Sequence, residues 1–427
     1  MEDLAAEINV DIDAQEVLLA ASQHDIPKLR RLIRGDKVPN AVNVKDPETG
    51  YSPLHAAIAA CEPDEDESAA ATNGDSNGVH TNGAQESQEQ QSVLDTGRDT
   101  VKFLLQEGAI WNDLDLKNET PGCLARRLGL TELYELMVDA GVRAELLLNR
   151  LDDYEPLADD DEEEEEGDKN EDKAEEGAGE EQAAPQTAEA ENTAQEESRE
   201  AAAATTEPDV TSSRYLQSNL TFQHDRLLDQ DQNGVMMAWE SEIMAKSAKK
   251  LLPTPGLRVL NVGHGMGIVD KFFQEQSPAA HHIIEAHPDV IADMKSKGWH
   301  EKPGVTIHEG RWQDVLPKLV EQGETFDAIY YDTFAESYAD FRTFFSEQVI
   351  GLLDPDGKWG FFNGMGADRQ ISYDVYQKVV EIDLFEAGFD VEWEDIKVPE
   401  LEGEWNGVRR PYWVVDNYRL PLCKFMD

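Results

Sequence analysis

The stretch LRVLNVGHGMGIVD, from Leu257 to Asp270, decides the fold because an apolar run passes directly into a glycine-rich turn. The apolar run predicts a buried strand. Glycines at positions 263, 265 and 267 let the backbone of the turn come close to a bound group. Many ligands fit such a turn, so residues further along the chain must identify what it holds.

Strand and helix patterns alternate from about position 212 onward. Two late candidate strands, around Val391–Val398 and Tyr412–Tyr418, have no helix between them, which suits an antiparallel hairpin at one sheet edge. The whole pattern predicts a doubly wound α/β sheet of the Rossmann-like type. The other candidate strands are Arg258–Gly263, His281–Ala286, Val305–Glu309, Phe326–Asp332 and Lys358–Asn363, and a helix is predicted at 373–389.

An acidic residue ends the second predicted strand. Glu285 stands 18 positions past Gly267, where a carboxylate can accept hydrogen bonds from two ribose hydroxyls. An acidic strand end is often only a solvated cap, but next to the glycine turn it favours an adenosine site. The turn reads G-x-G-x-G, with Ile268 where a dinucleotide fold has its third glycine. This spacing favours S-adenosylmethionine, which has no pyrophosphate, over a nicotinamide dinucleotide.

Two further carboxylates come from separate segments. Asp332 lies at the tip of the fourth predicted strand, in FDAIYYDTF, and Glu240 lies in VMMAWESEIM, just upstream of the first. If that upstream segment is helical, Glu240 and Met244 share one face and present a carboxylate and a thioether to the same cavity. The alternative is that Glu240 belongs to a helix surface and that Met244 and Trp239 belong to the core.

The amino-terminal part predicts an all-α region. Residues 14–34 have helical spacing with a break near His24–Pro27, and SPLHAA from Ser52 to Ala57 resembles the T-P-L-H-x-A signature of ankyrin repeats. In that repeat His55 stabilises a turn rather than binding a ligand. A polar run at about 62–92 predicts a disordered insertion, and Gly108-Ala109 and Gly141-Val142 are typical of repeat ends. Such repeats form protein-interaction modules.

Charge separates the two predicted domains. The chain has 427 residues and a net charge of −52, and residues 152–209 hold 25 acidic side chains against 3 basic ones. Few large apolar residues lie there, so a disordered acidic linker is predicted, either a plain spacer or a docking tail for basic proteins. The predicted domains are 1–150, ankyrin-repeat-like; 151–211, linker; and 212–427, catalytic.

Composition also bounds location and partners. The three cysteines are far apart, which indicates a reducing compartment and neither a disulfide framework nor a metal site. The sequence has no pattern of a signal peptide or membrane span. The acidity argues against nucleic-acid binding and favours basic partners. We therefore expect a soluble protein of the cytoplasm and nucleus, with no metal, nucleic-acid or membrane partner.

Five motifs together carry a family resemblance. VMMAWESEIM, RVLNVGHGMGIVD, HHIIEAHPDV, HEGRWQDVLPKL and FDAIYYDTF, in this order, resemble guanidinoacetate N-methyltransferase. Joined to an ankyrin-like half, they resemble the fungal arginine N5-methyltransferases, the type IV protein arginine methyltransferases. The double-glutamate loop and Thr-His-Trp segment of ω-nitrogen methyltransferases are missing from the sequence. The resemblance implies methyl transfer from S-adenosylmethionine to the internal δ nitrogen of arginine in basic target proteins.

The resemblance also implies site residues. It assigns Glu240 and Asp332 to the guanidine group, with Trp312 beside the donor site. It leaves open whether Tyr215 or Phe222 forms an aromatic wall. The implied donor site comprises Met244, His264, Gly265, Met266, Gly267, Ile268, Val269, Glu285, Ala286, His287, Gly310, Arg311 and Asp332. A small guanidino compound as acceptor, and a non-catalytic ankyrin scaffold, are the alternatives.

Overall fold

The computed structural model describes residues 2–35, 37–62, 83–151 and 210–426. Ten strands in these ranges form two sheets. They are β1 Thr221–Phe222, β2 Arg226–Leu228, β3 Gly234–Met237, β4 Arg258–Val262, β5 Ala280–Glu285, β6 Val305–Glu309, β7 Phe326–Tyr331, β8 Leu353–Phe361, β9 Phe389–Lys397 and β10 Asn417–Phe425.

The α-helices of the described ranges surround the larger sheet and build the amino-terminal region. They are α1 Glu2–Ser22, α2 Ile26–Ile33, α3 Pro53–Ala59, α4 Gly83–Gln106, α5 Pro121–Arg127, α6 Thr131–Leu151, α7 Ser212–Gln217, α8 Ser241–Leu251, α9 Ile268–Glu275, α10 Pro288–Ser296, α11 Trp312–Glu321, α12 Tyr338–Thr343, α13 Ile350–Leu352 and α14 Gln370–Glu386. Short 3₁₀ helices lie at Ala41–Asn43, Ala238–Glu240 and Trp299–Glu301, and a π-helical segment, Phe344–Val349, joins α12 to α13. Within the described ranges, no helix combines the length and apolarity that crossing a membrane requires.

The larger sheet has the strand order β6-β5-β4-β7-β8-β10-β9. Strands β4 to β8 pair in parallel, and β10 pairs antiparallel with both β8 and β9. The order reverses on either side of β4, whose neighbours are β5 and β7. Open α/β sheets bind ligands beyond the carboxyl ends of their strands at such a switch point. The fold therefore directs attention to the turns after β4 and β7.

The predicted doubly wound sheet with an antiparallel edge hairpin is confirmed. Most predicted strands agree with the structure to within a few residues, but the last one is displaced, since Tyr412–Tyr418 was expected and the strand is Asn417–Phe425. The register pairs Asn417 with Lys397, the last residue of β9. Residues before Asn417 therefore have no partner strand in β9, and the segment between the two strands is a long loop.

The segment before β4 differs from the helix predicted for VMMAWESEIM. Its first residues form β3, the last strand of a small antiparallel sheet with β1 and β2, which sequence reasoning missed. A 3₁₀ turn, Ala238–Glu240, then precedes α8. The expected i, i+4 pairing of Glu240 with Met244 on one helix face is wrong because Glu240 lies before the α-helix.

The amino-terminal region is all-α, as predicted, and the break between α1 and α2 lies at His24, whose φ is 53°. Helices α3 and α5 begin in the same way, with a hydroxyl residue followed by proline, at Ser52 and Thr120. The loops before them lie side by side, because the Leu116 amide donates to the Thr49 carbonyl at 3.0 Å. This is a repeated loop-and-helix unit.

His55 stabilises this arrangement. Its Nδ1 accepts from the Ser52 amide at 3.2 Å, and its Nε2 lies 3.1 Å from the Glu119 carbonyl, where it donates. The ring is fully buried, and burial lowers its pKa. His55 thus joins the two loop-and-helix units.

Two sequence-based expectations for this region are wrong. Of the predicted disordered insertion at about 62–92, residues 83–92 belong to α4 and 63–82 lie outside the described residues. Of the predicted linker at 151–211, residues 152–209 lie outside the described residues. Gly141 does not end a unit, since α6 runs through it. A Cβ at Gly141 would lie 2.6 Å from Val375 Cγ2, so glycine is needed there for close helix packing.

The amino-terminal helices pack directly on the sheet-bearing part of the chain. Helix α6 lies along α14, and one buried apolar cluster continues from Leu133 and Met137 to Val375 and Val379. Four polar contacts flank this apolar seam, among them the ion pair of Arg150 with Glu386 at 2.7 Å. The two regions therefore share one core.

We predict that the two regions remain together after the chain between them is cut. A specific protease site placed within 152–209 should yield two fragments that elute as one species in size-exclusion chromatography, because separating them would expose the shared apolar cluster. Uncut protein and urea-treated fragments provide the reference positions. Separate elution of the native fragments would contradict a shared core.

Candidate functional site

A cavity lies beyond the carboxyl ends of β4, β5 and β7, and we call it the donor cavity. The turns after these strands supply one wall, and α7 and β3 supply the opposite one. Its lining residues are Ser212, Tyr215, Leu216, Val235, Met236, Val262, Gly263, Gly265, Ile284, Glu285, Ala286, Gly310, Arg311, Trp312, Asp332, Thr333, Phe334 and Glu336. The cavity thus occupies the switch point of the sheet.

Close backbone approach shapes the glycine turn. A Cβ at Gly263 would lie 1.8 Å from the Asp332 carbonyl oxygen, and the φ of Gly263 is +95°. A Cβ at Gly265 would lie 2.7 Å from Met236 Cε. These two positions need glycine because any side chain would collide with the strand end or with the opposite wall.

Glu285 is the acidic centre of the donor cavity. Its carboxylate is 6% exposed and accepts from the amides of His264 at 2.9 Å, Gly265 at 3.4 Å and His287 at 2.7 Å. Glu285 therefore ties the glycine turn to the end of β5 and presents an ordered carboxylate to the cavity.

The structure chooses between the two aromatic candidates. Tyr215 is 9% exposed, lines the donor cavity and packs against His287 and Phe334 at ring distances of 4.8 and 4.9 Å. Phe222 lies outside the cavity lining, with Lys297 over its exposed ring. Tyr215 therefore supplies the aromatic wall.

The other predicted donor residues divide in two groups. Gly265, Glu285, Ala286, Gly310, Arg311 and Asp332 line the cavity as expected. The remainder lie behind it, because α8 and α9 turn their side chains toward the core or because a neighbour covers them. This second group is Met244, His264, Met266, Gly267, Ile268, Val269 and His287.

His264 points away from the donor cavity into a buried polar network. Its Nδ1 lies 2.6 Å from Asp270 Oδ2, and Asp270 also bonds His281 and Asn261 at 2.8 and 2.9 Å. Burial opposes ionisation of Asp270, but the two histidines outweigh it and lower its pKa to about 2. This network anchors the glycine turn from beneath.

A second cavity adjoins the first, and we call it the acceptor cavity. Asp332, Thr333, Phe334, Glu336 and Val235 line both cavities. The remaining lining residues of the acceptor cavity are Gly234, Glu240, Tyr331, Ser337, Phe341, Phe361, Phe362, Asn363, Gly364, Met365, Gly366, Val380 and Tyr412. The end of β7 is therefore the wall between two adjoining sites.

Three carboxylates line the acceptor cavity, and two of them, Glu240 and Asp332, lack the paired donors that Glu336 has in Trp312 and Tyr331. Glu240 is 3% exposed, and Tyr412 donates a short hydrogen bond to its Oε1. Burial raises the pKa of Glu240 well above its ordinary value and the charge of Asp332 raises it further, while the bonds from Tyr412 and the Met237 backbone act in the opposite direction. The Tyr412 hydroxyl thus orients the Glu240 carboxyl, but no Lys, Arg or His of the cavity lining balances its charge.

Asp332 has an unused acceptor. Its Oδ2 is buried, and no described residue donates a hydrogen bond to it. Burial, reinforced by the negative charge of Asp270, raises its pKa to about 7. The acceptor cavity lining contains no Lys, Arg or His. Glu240 is buried and Asp332 half-buried. Two such carboxylates without a cation are costly unless a positively charged group enters between them.

Sequence reasoning missed several lining residues. Glu336 borders both cavities and accepts from Trp312 Nε1 at 2.9 Å and Tyr331 Oη at 2.5 Å. Its place in the loop after β7, four residues from Asp332, is a signal that could have found it. Met236 and Tyr412 carry no such signal, because only the small sheet and the β9–β10 loop bring them to the cavities.

The donor cavity fits S-adenosylmethionine. Gly263 and Gly265 bring the backbone of the turn to the cavity, Glu285 offers a carboxylate suited to ribose hydroxyls, and Tyr215 offers an aromatic face for a purine. Asp332 lines this cavity and the acceptor cavity, so a donor and an acceptor bound in the two sites would lie side by side. We infer that the residues lining the donor cavity hold this cofactor.

Comparison with known proteins agrees with this geometry. The family model for guanidinoacetate N-methyltransferase matches residues 211–402. Proteins named protein arginine N-methyltransferase 2 are similar over nearly the whole chain: that of Aspergillus fumigatus is 75% identical over 98% of both chains, and that of Emericella nidulans is 71% identical over 100% of both. The Gibberella zeae protein is 44% identical over 97% of this chain and 94% of its own. The chain belongs to the protein arginine N-methyltransferase 2 family.

Proposed function

We propose that the protein transfers a methyl group from S-adenosylmethionine to the internal δ nitrogen of an arginine residue in a basic target protein. The observation that carries this proposal is the pair of Glu240, which is buried, and Asp332, which is half-buried with a buried Oδ2; both face one cavity whose lining has no Lys, Arg or His. A guanidinium is planar, always charged and presents a fork of donors to carboxylates. It is the side-chain group that such a pair suits best.

The charge of the acceptor determines how the residues must act. Arginine has a pKa above 12, so deprotonating it beforehand at pH 7 would cost at least about 7 kcal/mol. A bound guanidinium can instead be aligned by Glu240 and Asp332 through bidentate bonds. The proton leaves as the new bond forms, and Asp332, whose pKa is raised to about 7, is suited to accept it.

When bound, S-adenosylmethionine supplies an electrophilic methyl group. Glu285 and Tyr215 hold the nucleoside end, while Asp332 stands where the donor cavity meets the acceptor cavity. Alignment of the two reactants in adjoining sites contributes several kcal/mol, since effective molarities reach about 10⁵ M or more. Carboxylates that hold the two terminal nitrogens of the fork leave the internal δ nitrogen to face the donor.

We also propose that the amino-terminal helices are ankyrin-like repeats that contact protein partners. The paired loops before α3 and α5 support this reading, as does the bridging His55. A large net negative charge favours basic partners. The cytoplasmic and nuclear location expected from the sequence remains a prediction.

Product analysis tests the proposed function. Incubation with labelled S-adenosylmethionine and a cell extract, followed by acid hydrolysis, should release δ-monomethylarginine, identified by its fragmentation in mass spectrometry. The variants Glu240→Gln and Asp332→Asn should each lower kcat by at least about a hundredfold, since leaving one buried charge unpaired costs roughly 3–5 kcal/mol. Glu242→Gln, an exposed carboxylate two residues from Glu240, is the matched control.

Two outcomes would contradict this assignment. Full activity in both carboxylate variants would exclude the clamp, and guanidinoacetate serving as a far better acceptor than any arginine protein would favour the small-molecule alternative. Binding of S-adenosylmethionine distinguishes the roles of the two carboxylates. The affinity for this donor should fall less in Glu240→Gln than in Asp332→Asn, because Asp332 borders both cavities and Glu240 borders only the acceptor cavity.

The donor site has its own test. Glu285→Gln removes the charge while keeping the side-chain shape, and it should weaken S-adenosylmethionine binding at least about tenfold, since hydrogen bonds to a charged group contribute about 1.5–3 kcal/mol. Glu309→Gln changes the carboxylate that ends the neighbouring strand β6, outside the cavity lining, and should leave binding unchanged. Equal calorimetric affinities for both variants would contradict ribose recognition by Glu285.

Activity should depend on pH through Asp332. Its pKa is raised to about 7, so the fraction ionised in the free enzyme falls as the pH drops below that value, and guanidinium binding is lost with it. We expect kcat/KM for the acceptor to rise with pH to a plateau, with a midpoint near 7. Circular dichroism over the same range controls for unfolding. A flat profile down to about pH 5.5 would be inconsistent with an Asp332 titration.

A further inference from the structure

Helix α14 contacts a different part of the protein on each of its two faces. Ile371, Asp374, Val375 and Lys378 follow helical spacing along its outer face, which meets the amino-terminal helices. Tyr373, Gln377 and Val380 lie on the opposite, inner face. The helix therefore lies between the amino-terminal region and the acceptor cavity.

The outer face is fitted closely to two glycines of the amino-terminal region. A Cβ at Gly122 would lie 1.8 Å from Ile371 Cδ1, and one at Gly141 would lie 2.6 Å from Val375 Cγ2. Contacts this close leave no space for α14 to move toward the amino-terminal helices. The position of one surface thus determines the position of the other.

Hydrogen bonds fix the register along the same seam. Tyr134 Oη donates to Asp374 Oδ2 at 2.5 Å, and Tyr376 Oη donates to Glu145 Oε2 at 3.0 Å. The two bonds run in opposite directions across the seam, one from each side. They oppose sliding and rotation of α14 relative to α6.

The inner face holds one wall of the acceptor cavity. Gln377 exchanges two hydrogen bonds with Asn363, at 3.0 and 2.8 Å, and Tyr373 Oη accepts a third from Asn363 at 3.3 Å. All three side chains are buried, and Asn363 lines the acceptor cavity together with Val380 of the helix itself. The donor cavity lining contains no residue of α14 or of the amino-terminal helices.

We propose that the amino-terminal region positions the acceptor site through α14, with Tyr134 and Gln377 as positioning residues at either side of the helix. The inference rests on the proposed function for the nature of the acceptor. In this proposal the amino-terminal region contributes to catalysis, because it holds in place the wall of the acceptor cavity that contains Asn363. The arginine of the target protein binds against this wall. Disturbing the seam therefore affects acceptor binding and leaves donor binding intact.

The test uses the full chain with the double variant Tyr134→Phe/Tyr376→Phe, which removes both seam hydroxyls without opening cavities. The KM for a synthetic peptide rich in lysine and arginine should rise about fivefold, because only part of the energy of the two lost hydrogen bonds is transmitted to the acceptor wall. The calorimetric Kd of S-adenosylmethionine should stay within about twofold of wild type. Tyr51→Phe, at a tyrosine of the same region whose ring stacks on His55, is the matched control and should change neither quantity.

Hydrogen–deuterium exchange gives a readout that does not need turnover. Amides at 361–366 should exchange faster in the double variant and faster still in Gly141→Val, which drives a side chain into Val375. Unchanged exchange in both variants would overturn the inference, as would donor binding that weakens as much as the acceptor KM rises. If the wild type methylates no peptide or protein, the proposed function fails, and the exchange result alone decides whether the amino-terminal region holds the wall.

Discussion

The approach of the glycine turn to the end of β7 is the constraint on which the site depends. The backbone of Gly263 lies so close to the Asp332 carbonyl that even a methyl group would not fit. This contact holds the donor turn and the acceptor acid at one point of the sheet, where the strand order reverses. It explains why the two cavities share a wall and why one side chain, Asp332, borders both.

Charge is arranged unequally on the two sides of that wall. Glu285 has three backbone amides as partners, which fix its orientation. Glu240 is buried and Asp332 half-buried, both have fewer donors, and their pKa values are raised. A carboxylate held by amides can orient a neutral sugar, whereas carboxylates short of positive charge attract a cation. Carboxylates therefore have different roles toward the cofactor and toward the acceptor.

The amino-terminal helices complete the acceptor side of this arrangement. The sequence separates them from the sheet by a long acidic stretch, which suggests an independent module. The structure instead joins them through α14 in one apolar cluster. Gly122 and Gly141 allow the amino-terminal helices to pack closely on α14. The sequence pattern indicates a repeat end at Gly141 and does not predict this packing role.

The sequence by itself determined the order of the strands of the larger sheet along the chain, the glycine turn, and the strand-end carboxylates Glu285 and Asp332, because these depend on local pattern and on strand ends that a parallel sheet brings together. Glu240 followed from the family resemblance, since the helix predicted around it is wrong. It could not determine which of Tyr215 and Phe222 forms the donor wall, that Met244 and His264 turn inward, or that Tyr412 reaches Glu240. Those outcomes depend on the direction of side chains from a 3₁₀ turn, a small extra sheet and a long loop. Tertiary packing alone decided them, since contacts between residues distant in sequence leave no periodic signal.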